Sequence, residues 1–232
     1  MNLFENSGKD IRHEAGPHCI LMLHGLGSGP LELAQLAKEA HQDGFSVWVP
    51  SIEGYCFGQD LKKWGLWQQQ IQDMFWAAHA QYETVSVVGL SMGGGTTLNV
   101  CLKHSSSIAG IVLVNPMMHV KFVPHQLAWV ISRFQKMRDS VGDDIKKPGV
   151  TEHGYDSLPA VGVYQLLKML SYTRKRLHDV TVPLLLFHSK EDHTLPVSNT
   201  EIIMKGVSSI PKQRIELVNS YHVATLDYDQ DI

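Results

Sequence analysis

The stretch VVGLSMGGGTTL, residues 87–98, places Ser91 among four glycines directly after a run of valines. The residues before it, 84–88, read as a strand, and the residues after it, 96–104, read as a helix. Gly89, Ser91 and Gly93 match Gly-x-Ser-x-Gly, the pattern of a serine held at a sharp strand-to-helix turn. Side chains two positions before and after the serine would crowd such a turn, so glycine is favoured at both. The stretch therefore predicts a nucleophile elbow.

Two phosphate-binding interpretations of the same glycines fail. A dinucleotide fingerprint needs Gly-x-Gly-x-x-Gly, and Ser91 stands where its second glycine is required. A Walker loop needs lysine directly after its last glycine. Counting from Gly89 leads to Gly94, and the following residue is Gly95. Neither pattern can omit the missing residue, so both are rejected.

Six short apolar runs alternate with helix-length segments along most of the chain. The runs lie at 19–23, 45–49, 84–89, 110–114, 182–188 and 213–218. Helix-length segments include 30–40, 61–80 and 96–104. Most of the runs are apolar at successive positions, as strands are when helices cover both faces of a parallel sheet. The order predicts an α/β fold with a mostly parallel sheet.

The alternation stops between residues 115 and 179, where no strand pattern is recognised. Two apolar stripes at helical spacing occur there: Leu127, Val130, Ile131, Phe134 and Met137, then Val163, Leu166, Leu167 and Leu170. Ser157 and Pro159 are start signals for the second helix. We expect residues 1–114 and 180–232 to form the core and 115–179 to form an inserted helical cap. Ordinary crossover helices are the alternative interpretation of the same segment.

An acid and a histidine are expected after later strands, because the triad order in this kind of turn is serine, acid, histidine. Asp192 follows the strand pattern 182–188 and begins a turn toward Pro196. Glu191 is the alternative acid, and a turn or capping role for Asp192 is the structural alternative. His222 lies four residues beyond Val218, in a polar loop after the last strand pattern. We expect Asp192 to orient His222 and His222 to act as the base for Ser91.

An oxyanion hole is expected where the first long strand ends. His24 and Gly25 precede Leu26 in LMLHGLGSGP, and a His-Gly pair lets the chain turn so that the next N–H faces the site. The backbone N–H groups of Leu26 and Met92 are the predicted donors. His24 is interpreted as a structural residue of the loop. The alternative is that the whole segment is a flexible glycine loop.

Composition restricts the function further. The 232 residues carry a formal net charge of −3, which gives no electrostatic reason to expect a nucleic acid or an acidic membrane as partner. Cys19, Cys56 and Cys101 show no metal-ligand spacing, and their small odd number suits a reducing compartment. Residues 1–10 lack the apolar segment of a signal peptide, and no apolar run could span a bilayer. We expect a cytoplasmic protein without stable membrane insertion.

These motifs resemble those of the bacterial carboxylesterase and monoacylglycerol lipase group of the α/β-hydrolase superfamily. The resemblance is carried by LHGLGSG, VVGLSMGG, VNPMM, VPLLLFHSKEDHTLPV and NSYHVATLD and runs from about Cys19 to the end of the chain. It implies an α/β-hydrolase fold with a small helical cap after VNPMM. It also implies Ser91 as nucleophile, His222 as base and Asp192 as its partner. Two departures are EGYCFG at 53–58, where relatives commonly show Gly-His-Gly, and Tyr221, where many have a glycine.

The expected chemistry is hydrolysis of short- to medium-chain carboxylic esters or monoacylglycerols through an acyl-enzyme, with no cofactor and no metal. Met117, Phe122, Trp129 and Phe134 are candidate substrate-pocket residues, although core packing explains such residues equally well. The partner is a small-molecule ester, and the protein is expected as a monomer or weak dimer. A thioesterase, lactonase, acyltransferase or perhydrolase would use the same residues, and so could a non-catalytic ligand-binding homologue.

Overall fold

The computed structural model describes residues 8–54, 63–120, 137–139, 143–152 and 157–232. Seven strands form one sheet in the order β1-β3-β2-β4-β5-β8-β9. Their bounds are β1 Ile11–His13, β2 His18–Leu23, β3 Ser46–Val49, β4 Thr84–Leu90, β5 Ile111–Val114, β8 Leu184–Ser189 and β9 Lys212–Leu217. All neighbouring pairs are parallel except β1 with β3. The predicted α/β class and mostly parallel sheet are confirmed.

Six of these strands correspond to the six apolar runs, with ends shifted by at most two residues. The seventh, β1, was not predicted, because three residues are too few to show a periodic pattern. It lies antiparallel at the edge of the sheet, where Ile11 pairs with Val49 and His13 pairs with Val47.

Helices cover both faces of the sheet. Their bounds are α1 Ala34–Gln42, α2 Trp64–Gln81, α3 Met92–His104, α4 Ala160–Arg174 and α5 Ser198–Gly206. In β4, Val85 and Val87 pack into the core shared with α2 to α5, whereas Val88 and Leu90 pack into the core shared with α1. Both faces of the strand are buried, which explains why its sequence does not alternate between apolar and polar residues.

The register of the sheet brings several chain turns to one edge. Leu23 pairs with Gly89, Leu90 pairs with Val114, and Ser189 pairs with Leu217. These residues lie at the carboxyl ends of parallel strands, and the loops that follow them therefore leave the sheet on the same side. This is the edge at which open α/β sheets bind their ligands.

A second, small sheet corrects the interpretation of residues 115–179. Strands β6, Met137–Asp139, and β7, Ser157–Pro159, pair antiparallel. The expectation that this segment holds no strand was therefore wrong, and so was the assignment of Met137 to a helical stripe. Ser157 and Pro159 precede the helix instead of starting it, since α4 begins at Ala160. Two strands of three residues are too short to leave a pattern in the sequence.

Helix α4 packs directly on the core. Leu166, Met169 and Leu170 are buried in the cluster that also holds residues of α2 and α3. The rest of the first expected cap helix, with Phe122, Trp129 and Phe134, lies outside the described residues. The division into a core and a cap therefore stays a prediction.

Cys19 and Cys101 are fully buried, and burial raises the pKa of their thiols to about 11 and about 12. Within the described part of the chain, no helix has the length and apolar character needed to cross a lipid bilayer.

Candidate active site

Ser91 lies between β4 and α3 with a left-handed backbone, φ 54° and ψ −117°. A non-glycine residue in this region is uncommon and marks a strained turn. The turn is held by Ser91 N–H donating to Val114 O at 3.0 Å and by Ser91 O accepting from Met117 N at 2.9 Å. The strand–turn–helix context predicted for the serine is present.

Each of the four glycines around Ser91 lies against a different neighbour. A Cβ at Gly89 would lie 2.5 Å from Gly93 O, and one at Gly93 would lie 2.0 Å from Leu23 O. A Cβ at Gly94 would meet the Pro116 side chain at 2.7 Å, and one at Gly95 would meet Met117 O at 2.6 Å. Gly89 and Gly93 make room for the turn, while Gly94 and Gly95 let α3 approach the segment after β5.

His222 contacts both other members of the predicted triad. Its Nε2 lies 2.9 Å from Ser91 Oγ, and its Nδ1 lies 2.9 Å from Asp192 Oδ2. A carboxylate can only accept, so Nδ1 carries the ring proton and Nε2 is left to accept from the serine hydroxyl. The three side chains form one directed row of hydrogen bonds.

The loop after β8 fixes the other oxygen of Asp192. Its Oδ1 accepts from Thr194 N at 2.9 Å and from Leu195 N at 2.7 Å. Asp192 thus has both oxygens occupied and a buried side chain. Glu191, the alternative acid, is half-exposed and pairs with Lys146 Nζ at 3.2 Å. Of the two candidate acids, Asp192 is the one that contacts His222.

Asn115 is a site residue that the sequence reasoning missed. Its Nδ2 donates to His222 O at 2.7 Å and to Ser189 Oγ at 2.9 Å, while its Oδ1 accepts from Ser189 N at 2.7 Å. It is fully buried and has a positive φ of 42°, which asparagine tolerates better than most residues. Asn115 therefore connects the ends of β5 and β8 to the histidine loop.

The loop after β2 is ordered by a buried carboxylate. Glu32 Oε2 accepts from Gly25 N at 2.6 Å and from Ser28 Oγ at 2.8 Å. Since α3 packs against the end of β2, Leu26 and Met92 belong to two segments that meet beside Ser91. The alternative of a purely flexible glycine loop does not fit these bonds. Glu32 was not predicted, because one glutamate in an apolar helix start carries no pattern.

His24 is fully buried in the same loop. Its Nδ1 lies 2.8 Å from Gly25 O, and burial lowers its pKa to about 4. A histidine with that pKa is neutral near pH 7, so its Nδ1–H donates to the carbonyl. This arrangement agrees with the interpretation of His24 as a structural residue.

Glu32 and Glu152 form a close pair of acids. Burial, followed by the charge and hydrogen bond of Glu32, raises the pKa of Glu152 to about 9. Burial also raises the pKa of Glu32, against hydrogen bonds from Glu152, Gly25 and Ser28. One proton shared by two carboxyl groups is the ordinary result of such proximity. The pair therefore holds a proton near pH 7.

Residues 143–152, here called the strap, lie over the loops that carry His222 and Asp192. Asp144 accepts from the backbone N–H groups of His193 and His222. Asp227, which is fully buried, accepts from the backbone of the strap and of the histidine loop. Neither acid was singled out from the sequence, since an aspartate in a polar connection is an ordinary surface residue.

Tyr221 fills the position where many relatives have glycine. Its ring lies edge-on to His193, with the ring centroids 4.3 Å apart, and Lys146 Nζ lies 5.5 Å from its centre. The tyrosine thus packs between the strap and the loop of Asp192.

Among the candidate pocket residues, Met117 is half-buried next to the Ser91 turn. No group of three or more histidine, cysteine or acidic residues within the described ranges could hold a metal ion.

Comparison with known proteins shows the family to which the chain belongs. Residues 17–229 match the Hydrolase_4 family, described as serine aminopeptidase, S33. A thermostable monoacylglycerol lipase from Bacillus sp. (strain H-257) is 33% identical over 220 residues, which cover 94% of this chain and 87% of that protein. A carboxylesterase from Bacillus subtilis (strain 168) is 23% identical over 228 residues, 97% of this chain and 92% of that protein.

Solved structures show the same fold. One from work on the metagenome-derived lipolytic enzymes LipS and LipT superposes with a TM-score of 0.90 at 26% identity, covering 97% of this chain and 93% of that one. The monoacylglycerol lipase of Paleococcus ferrophilus superposes with a TM-score of 0.81 at 16% identity, covering 96% and 93%. The chain therefore belongs to the Hydrolase_4 family, within the carboxylesterase and monoacylglycerol lipase group of the α/β-hydrolase superfamily.

Proposed function

We propose that the protein is a serine carboxylesterase that hydrolyses short- to medium-chain carboxylic esters or monoacylglycerols through an acyl-enzyme on Ser91. His222 is the general base, Asp192 orients it, and the backbone N–H groups of Leu26 and Met92 bind the oxyanion. The observation that carries the proposal is the directed row from Asp192 through His222 to Ser91, with both spacings at 2.9 Å.

The reaction has two acyl-transfer steps. Ser91 Oγ attacks the ester carbonyl carbon while His222 Nε2 takes the hydroxyl proton, and a tetrahedral oxyanion forms. The C–O bond to the alcohol breaks, and the proton on Nε2 passes to the leaving oxygen. Water then attacks the acyl-enzyme, giving its proton to Nε2, and collapse of the second intermediate returns that proton to Ser91 Oγ and releases the acid.

Asp192 supports the same cycle in two ways. Its bond to Nδ1 keeps the imidazole in the tautomer that presents a bare Nε2 to the serine, and its charge stabilises the imidazolium that forms. The two backbone N–H groups on Oδ1 fix the carboxylate in place.

The substrate class is argued from the relatives and from the surroundings of Ser91. The relatives are named a monoacylglycerol lipase and a carboxylesterase, so a carboxylic ester is the shared substrate type. Met117 follows Asn115 and Pro116 beside the nucleophile, and its flexible apolar side chain suits an acyl chain. Phe122, Trp129 and Phe134 remain further proposed pocket residues. The inserted segment 115–179 remains a proposed cap over this pocket, and cytoplasmic location and monomeric or weakly dimeric state also remain predictions.

Hydrolysis of p-nitrophenyl acetate and butyrate tests the proposal. We expect Ser91→Ala to lower kcat/KM by at least about 1,000-fold, because the nucleophile is removed while the rest of the site is kept. Ser106→Ala changes an exposed serine just beyond the carboxyl end of α3 and is the matched control, with unchanged activity expected. Equal turnover by the wild type and Ser91→Ala would contradict the proposal.

A substrate panel separates the related chemistries. Monoacylglycerols and p-nitrophenyl esters of two to twelve carbons are compared with a matching thioester, a lactone and an amino-acid p-nitroanilide. We expect kcat/KM to be highest for the oxygen esters and to depend on acyl length. A preference for the thioester or the lactone would replace the substrate class while leaving Ser91 as nucleophile. Turnover independent of acyl length would contradict the proposed acyl pocket.

A further inference from the structure

We propose that Asp144 is a positioning residue that ties the loop carrying Asp192 to the loop carrying His222 and thereby holds the two side chains in register. This inference rests on the proposed function, since it concerns the base of that reaction. Asp144 does not contact Ser91 or His222 Nε2 in the described hydrogen bonds, so its action on the reaction is exerted through the backbone of the two loops.

The contacts of the Asp144 carboxylate reach both loops. Oδ2 accepts from His193 N at 3.0 Å, from Thr194 Oγ1 at 3.2 Å and from His222 N at 3.3 Å. Oδ1 lies 2.9 Å from His193 Nδ1, which donates because the carboxylate can only accept. One side chain thus receives bonds from the residue after Asp192 and from His222 itself.

Several contacts beyond the strand ends set the distance between the two loops, among them the bonds from Asn115 to Ser189 and His222 O and the packing of Tyr221 on His193. The Asp192 loop follows β8, and the His222 loop follows β9, so their positions relative to each other depend on what joins them beyond the strand ends. The Nδ1 to Oδ2 bond of the triad is one such link. Asp144 is a further link, and because it reaches the main chain at His193 N and His222 N, it does not depend on the position of the imidazole during the reaction.

Hydrogen bonds also fix the backbone of the strap at and after Asp144. Asp227 accepts from the strap at Lys146 N, 2.7 Å, and Lys147 N, 3.0 Å, and from the histidine loop at Tyr221 N, 2.9 Å. Asp144 O accepts in addition from Val223 N at 3.2 Å. The strap is therefore bonded to the histidine loop at Asp144 O and, through Asp227, at Lys146 and Lys147, which fixes where the Asp144 carboxylate can reach.

The sensitivity of catalysis to geometry gives the expected size of the effect. A displacement of about 1 Å between reacting groups costs on the order of 100-fold in rate. Loss of the Asp144 bonds leaves Ser91 and the proposed oxyanion donors in place and loosens only the base and its partner. We therefore expect a fall in kcat with little change in KM.

Four variants test this expectation. Asp144→Ala removes every bond and should lower kcat for p-nitrophenyl butyrate by about 10- to 100-fold, with KM within about 3-fold of the wild type. Asp144→Asn should keep kcat within about 3-fold of the wild type, because its amide oxygen can accept from His193 N and His222 N. Its NH₂ can donate to His193 Nδ1 when that ring carries its proton on Nε2. Asp144→Glu folds around a longer carboxylate that cannot keep both loop contacts, so its kcat should fall as in Asp144→Ala. Asp143→Asn removes the neighbouring carboxylate, which faces Glu152 N, and should leave kcat unchanged.

A second measurement needs no substrate. The Nδ1 proton of His222, bonded to Asp192, should give a downfield proton NMR signal in the resting protein. We expect this signal in the wild type, Asp143→Asn and Asp144→Asn, and its broadening or loss in Asp144→Ala and Asp144→Glu. A residue that only stabilised the fold would lower the melting temperature and leave the signal and kcat of the folded variant unchanged.

The outcomes distinguish this proposal from the proposed function. If the wild type hydrolyses no ester, the function fails, and the NMR comparison still decides the role of Asp144. If the wild type is active and Asp144→Ala and Asp144→Glu keep its kcat and its downfield signal, the positioning role is overturned while the function stands. If Asp144→Ala fails to fold by circular dichroism, Asp144→Glu decides, and a wild-type kcat in that variant overturns the proposal.

Discussion

Two aspartate–histidine pairs lie side by side in this molecule. They share the distance between Oδ and Nδ1 but differ in burial and in their other contacts. Asp192 with His222 and Asp144 with His193 both join Oδ to Nδ1 at 2.9 Å. The side chains of the first pair are 2% and 6% exposed, whereas His193 is 61% exposed and Asp144 is 10% exposed. Only His222 has a serine hydroxyl on its other nitrogen within the described contacts.

The distance between an aspartate and a histidine therefore identifies no function by itself. Burial strengthens the interaction of the first pair because water does not compete for it, whereas solvent reaches the His193 ring. The first pair also ends on Ser91, the proposed nucleophile, in a strained turn, and the second pair has no such partner within the described contacts. The second pair instead uses its aspartate to bond main-chain groups of both loops.

The largest effect should come from Asp192→Asn, which would break the buried pair. The asparagine NH₂ would face Nδ1 and favour the tautomer with a proton on Nε2, so His222 could not accept from Ser91. We expect kcat/KM to fall by roughly 1,000- to 10,000-fold in p-nitrophenyl butyrate hydrolysis. Glu191→Gln, one residue away in the sequence, should stay within about 2-fold. Similar losses in both variants would mean that Asp192 has no special role.

A smaller effect is expected from Asn115→Ala, which removes a support that only the buried pair has. Its bonds to His222 O and Ser189 are lost in a fully buried place, and alanine tolerates the positive φ less well. We expect the free energy of unfolding to fall by about 2–4 kcal/mol and kcat to fall with it. Urea denaturation and initial rates measure the two, with Asn219→Ala as an exposed control. Unchanged stability would show that the described bonds are replaceable.

The sequence predicted the fold and the main features of the site because both leave periodic or ordered patterns. Apolar runs revealed six strands, and the order of Ser91, Asp192 and His222 after successive strands pointed to one edge of the sheet. What it could not reveal are single buried polar residues such as Asn115 and Asp227. Their identity resembles that of surface residues, and only the packed chain shows that backbone N–H groups converge on them.

Glu152 is a third buried acid, and its titration should make the free energy of unfolding depend on pH. Burial and Glu32 raise the pKa of Glu152 from 4.5 to about 9 in the folded protein. A raised pKa stabilises the fold below the unfolded value and loses that contribution as the pH rises toward 9. Relative to Glu152→Gln, which does not titrate, the wild type should lose up to about 1.4 kcal/mol per pH unit in this range. Urea denaturation at pH 5, 7 and 9 measures the difference, and parallel curves would contradict it.

The smallest effect should come from His193→Ala, the exposed histidine of the second pair. Asp144 keeps its bonds to His193 N, which is a backbone group, and to His222 N, so only the solvent-exposed ring is lost. We expect kcat/KM within about 3-fold of the wild type. A loss as large as that of Asp192→Asn would mean that the two pairs act as one unit.

The four glycines around Ser91 have a consequence for directed evolution. Each position from 93 to 95 is limited by a different neighbour: the end of β2, Pro116, and the backbone of Met117. A single compensating change cannot relieve all three, so random libraries that include these codons will consist largely of inactive clones. Met117 contributes backbone, not side chain, to the contact with Gly95, so its side chain can be varied to test the proposed acyl pocket while this contact of the helix after Ser91 is kept.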